Sequence, residues 1–127
     1  MSVKQKYQLE FIIKSSTHVL YNMLSTPSGL SEWFADDVTI DGNNYTFYWE
    51  DSEEQAKLIK SKKLEFVLFQ WIDDNGTDYF FEFKIVVDDI TQDVALVITD
   101  FAEKGELDEA KMLWESQVHQ LMETIGM

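Results

Sequence analysis

Apolar and polar residues alternate from Lys6 to Lys14, where Tyr7, Leu9, Phe11 and Ile13 occupy every second position of KYQLEFIIK. A period of two marks a strand with one buried face. The period then lengthens: Ser15 and Ser16 offer N-cap hydroxyls, Val19, Leu20, Met23 and Leu24 recur at helical spacing, and Pro27 forbids continuation. This predicts a short helix ending near Ser25. Ser28 is placed to cap a second, bearing Leu30, Trp33 and Phe34 on one face.

Beyond Asp36 turn-forming clusters at Asp41-Gly42-Asn43-Asn44, Glu50-Asp51-Ser52, Asp73-Asp74-Asn75-Gly76 and Asp88-Asp89 separate short apolar runs. That spacing predicts an antiparallel meander with strands at Val38–Asp41, Tyr45–Glu50, Gln55–Lys60, Leu64–Trp71, Asp78–Val87 and Val94–Phe101. Helical period returns over Leu107–Ile125, where Leu107, Ala110, Trp114, Val118, Leu121, Met122 and Ile125 share one arc. Strands bounded by segregated helices specify the α+β class, with helix covering one face of a curved sheet of seven predicted strands.

Length and composition narrow the function classes. A chain of 127 residues fits one domain, and its 45% hydrophobic and 14% aromatic content is that of an ordered core. A net charge of −14 repels phosphate backbones and anionic lipid surfaces, which excludes nucleic acid as an expected partner. The absence of cysteine removes disulfides, thiolate nucleophiles and cysteine-ligated metals, and suits a reducing compartment. The N-terminus MSVKQKYQLE has no apolar signal core, and no run approaches the ~20 apolar residues of a membrane span. A cytoplasmic protein without membrane insertion is expected.

Few residues offer chemistry. His18 and His119 stand far apart and outside any zinc spacing, and His119 projects away from the apolar arc. The acidic pairs Asp36-Asp37, Glu53-Glu54, Asp73-Asp74 and Asp88-Asp89 fall at turns, and DDNGTD lacks the spacing and closing glutamate of a calcium loop. No serine sits in a G-x-S-x-G context. The residues therefore nominate no catalytic group, metal or cofactor. Aromatic stripes remain: Tyr45, Phe47 and Trp49 on one strand, Tyr79, Phe81, Phe83 and Ile85 on another, and Trp114 on the helix. They either fill the space between helix and sheet or line a cavity there.

The element order and the stretch VLYNMLSTPSGLSEWFADD resemble the START-like superfamily, which includes the Bet v 1-like proteins, and within it the homologues of the activator of the ninety-kilodalton heat-shock chaperone's ATPase. GNNYTFYW, KKLEFVLFQW and LWESQVHQLMETI extend the likeness along the chain. It implies a helix-grip fold, in which the sheet wraps around the long final helix, and a non-enzymatic domain that binds a small apolar or amphipathic ligand. The expected ligand contacts are Trp33, Tyr45, Phe47, Trp49, Phe81, Phe83, Trp114 and Gln117. A second reading is a protein-interaction module, a co-chaperone in a stress response; a third is a cyclase or hydratase.

One run does not alternate. In LEFVLFQW, if Leu64, Phe66 and Leu68 face the core, then Val67, Phe69 and Trp71 face outward, and large exposed apolar patches mark interfaces. A homodimer packing through Val67, Phe69 and Trp71 is the expectation.

Overall fold

The computed structural model describes residues 3–126. β1 (Lys4–Ile13) leads into α1 (Thr17–Ser25) and α2 (Pro27–Leu30). Strands β2 (Asp37–Asp41), β3 (Asn44–Trp49), β4 (Ser52–Lys62), β5 (Phe66–Trp71), β6 (Phe81–Val87) and β7 (Val94–Glu103) follow, and α3 (Leu107–Thr124) closes the chain. The seven strands form one antiparallel sheet in the order β1-β7-β6-β5-β4-β3-β2, so the first strand lies beside the last. Helices pack on the inner face of this curved sheet, giving the α+β helix-grip architecture. Among the described residues no helix is long and apolar enough to cross a membrane.

Local chemistry explains the turns between elements. Ser16 caps α1, its Oγ accepting from the Val19 N–H at 3.1 Å. The cap of α2 is Thr26, not Ser28: its hydroxyl accepts from Gly29 N–H at 2.9 Å and donates to the Asn22 carbonyl at 2.9 Å. Thr26 thus ends α1 and starts α2 in one step, with Pro27 at the first helical position, where its missing N–H costs nothing. Gly29 makes this corner possible, since a Cβ there would lie 2.2 Å from the Asn22 backbone oxygen. Gly42, with φ of 61°, supplies the left-handed residue of the β2–β3 hairpin.

Facing is where the sequence expectation fails. Val67 and Phe69 are 1% and 0% exposed, and Trp71 packs against the core, so all three point inward and cannot form an outer-face interface. The apolar pattern of this strand fits either parity; pairing decides it. Val67 lies opposite Phe83 and Phe69 opposite Phe81, both of which are buried. Leu64, which had been assigned to the strand, occupies the preceding turn at φ 67° and takes no part in its alternation. The outer face at this level carries Phe66 and Leu68, flanked across the strands by Lys62, Lys84, Lys60 and Glu82. Tyr79 likewise lies before β6, where its hydroxyl accepts from Lys4 N–H at 3.0 Å. Glu53 and Glu54, expected at a turn, lie within β4.

Candidate functional site

Phe34 stands at the centre of the inner face, on the turn that follows α2. Its backbone N–H donates to the Leu30 carbonyl at 2.9 Å, continuing the helical path by one turn and driving the ring under α3. There it stacks on Trp114, with centroids 5.7 Å apart and planes 14° apart, and meets Phe47 and Phe83 edge-on. Trp33 turns the other way, buried with its Nε1 donating to the Met23 carbonyl at 2.8 Å. The Trp-Phe pair therefore divides its work: Trp33 pins the corner of α1 and α2, and Phe34 plugs the interior.

Because Phe34 plugs it, the deep interior is filled. Tyr45, Phe47, Phe81 and Phe83 are 4% exposed or less and pack on one another and on Phe69. What stays open is the mouth between α3 and the ends of β3 to β5, a cleft of about 440 Å³. Phe34, Trp49, Trp71 and Trp114 form its walls, with Ser52, Glu54, Asp100, Ala110, Leu113 and Gln117 around them. The volume falls in the range of small-molecule sites, ~300–1,000 Å³. Of the residues expected to touch a ligand, the fold brings Trp49, Trp114 and Gln117 to this cleft. Trp33 borders only a neighbouring surface hollow, and Tyr45, Phe47, Phe81 and Phe83 lie in the core behind it.

Two carbonyl and carboxylate acceptors organise the cleft. The Phe34 carbonyl accepts from Trp49 Nε1 and from Gln117 Nε2, each at 3.1 Å, which ties β3 and α3 to the central turn. Asp100 Oδ2 accepts from Trp114 Nε1 at 2.9 Å and from the Tyr7 hydroxyl at 3.3 Å. Burial holds the Asp100 carboxyl above the usual carboxylate range, opposed by the hydrogen bonds it accepts. Burial and the Asp100 charge also push the Tyr7 hydroxyl well above its ordinary value.

Asp100, Trp71 and Phe34, which line the cleft, are not among the ligand contacts expected from the sequence. A signal for Asp100 existed: Leu96, Ile98, Asp100 and Ala102 share one parity in β7, which sets a single acid on an apolar face. Trp71 was lost with the facing of its strand.

The family model described as a START-like superfamily domain matches residues 1–127. The chain belongs to the START-like superfamily. Among solved structures, this START-like chain is similar to BfR322 from Bacteroides fragilis, with 38% identity, TM-score 0.69 and coverage of 100% of this chain and 94% of that one. The Aha1 dimer from Colwellia psychrerythraea shares the fold at 16% identity, with TM-score 0.77 and 93% of each chain covered. MLL2253 from Mesorhizobium loti does so at 13% identity, TM-score 0.75, over 95% of this chain and 96% of that one. Comparison with curated proteins returns no match.

The partly buried Asp100 gives this START-like domain a pH dependence of defined sign. An acid whose folded pKa is raised contributes most to stability below its unfolded pKa of about 3.9, and that contribution is lost as pH rises through the folded value. Asp100→Asn keeps an acceptor for Trp114 and Tyr7 and removes the charge. The variant should melt higher than the parent at pH 7, the difference shrinking towards pH 4; calorimetry that finds the variant less stable at every pH would refute this role.

Proposed function

We propose that the protein is a non-enzymatic carrier of a small amphipathic ligand, whose apolar part lies in the cleft between α3 and the sheet. The observation that carries this reading is the convergence of Trp49, Trp71 and Trp114 on one open cleft while the interior behind them is filled. Tryptophans left half-buried at a concave surface provide large apolar area that a ligand can remove from water, at ~25 cal/mol per Å². Trp49 and Trp71 are both in this state, and Leu113 stands 61% exposed on α3 beside them. Asp100 and Gln117 are the polar groups that orient a bound molecule.

Intrinsic tryptophan emission reports on the site directly. Titration with decyl-chain amphiphiles, kept below micelle formation, should give a saturable shift with one-to-one stoichiometry. Absence of saturable change with every head group would remove the reading.

A further inference from the structure

The inner surface of the cleft is chemically one-sided, and that side points to the ligand's charge; the inference rests on the carrier reading above. The walls are the rings of Phe34, Trp49, Trp71 and Trp114, and the ionisable groups that line them are Asp100 and Glu54, both acids. Lysine is absent from the lining, and the chain has no arginine to contribute. Three of the four N–H-bearing side chains of the lining are already engaged, Trp71 being the fourth. Trp49 Nε1 and Gln117 Nε2 donate to the Phe34 carbonyl, and Trp114 Nε1 to Asp100. The lining is dominated by ring faces and carboxylate oxygens, the two partners that attract an organic cation.

Asp100 adds an energetic argument. The side-chain donors that reach it are neutral, and Lys4 favours its charge without forming one of the ion pairs seen among the described residues. A partly buried carboxylate held this way carries a desolvation cost that a bound cation would offset. An anion would meet repulsion from both acids, and a neutral head would bring them no opposite charge. We propose that the ligand carries a positively charged amine or quaternary ammonium head, held against the tryptophan faces by Asp100 and Glu54, with its apolar chain along Leu113 and Ala110.

Decyltrimethylammonium, decanol and decanoate share a chain and differ in head, so their affinities separate head from chain. At physiological ionic strength the ammonium should bind about tenfold or more tightly than decanol, with decanoate weakest, the size expected of a desolvated cation–π site. Glu54→Gln, on an exposed strand position, and Asp100→Asn should each narrow that preference. Asp41→Asn, at the distant β2–β3 hairpin, removes the same charge and should not narrow it. Tetramethylammonium separates a free cation from a lipid-like one: weak binding by the head alone shows that the chain is part of what is recognised. Equal affinity for all three decyl compounds, with the tryptophans responding, would overturn the cationic head and leave the carrier reading standing. Failure of all three would remove both. A preference that Asp41→Asn erodes as much as Glu54→Gln would assign it to overall charge and overturn the site.

Discussion

Phe34→Ala is expected to lower the melting temperature by roughly 10–20 °C, because truncating a buried aromatic costs ~3–5 kcal/mol and a domain of this size loses several degrees per kcal/mol. Phe34 is 4% exposed, and the rings of Trp114, Phe47, Phe83 and Phe81 all rest on it. Its removal leaves a hole at the junction of the sheet, the α2 turn and α3, where no single neighbour can collapse to fill it. A melting temperature within a few degrees of the parent would mean that Phe34 is not the plug described. The variant that survives should also hold a larger cleft, since the ring forms its floor.

Trp114→Ala ranks beside it. The indole is 7% exposed, packs against Phe34 and Phe83, and donates to Asp100. Alanine removes all of these together and leaves a partly buried carboxylate short of a donor, so the cost should reach ~3–5 kcal/mol, a large share of the ~5–15 kcal/mol that stabilises a domain. Hydrogen exchange should show the loss first in α3, whose other buried anchors are Val118 and Leu121. Unchanged protection there would show that α3 does not grip the sheet through Trp114.

Most of the fold was legible because its signals are local. Alternation in KYQLEFIIK, the break at Pro27 and the helical arc ending at Ile125 give each element with boundaries close to those observed. What failed depended on pairing between distant segments. A strand apolar on both faces, as Phe66–Trp71 is, has no intrinsic inside, and Phe81 and Phe83 across β6 choose it. That one choice moved Val67 and Phe69 from a supposed dimer surface to the core and brought Trp71 to the cleft.

The cleft was legible only in part for a related reason. Aromatic composition places rings between helix and sheet, but whether they meet or leave space depends on how far one side chain reaches. Phe34 closes the space beside Phe47, Phe81 and Phe83, leaving Trp49, Trp114 and Gln117 at the rim. Asp100 is masked by its neighbours, a single acid in a run of apolar residues.

The four tryptophans offer the most direct test, because the fold assigns them different fates. In a proton–nitrogen NMR spectrum each indole N–H gives one resolved signal, and Trp33, locked to the Met23 carbonyl behind the cleft, serves as the internal reference. On saturation with a decyl amphiphile, shifts are expected at Trp49, Trp71 and Trp114, with chain-to-ring nuclear Overhauser contacts to each, while Trp33 stays in place. A saturated complex in which those three signals do not move, or in which Trp33 moves most, would contradict the carrier reading.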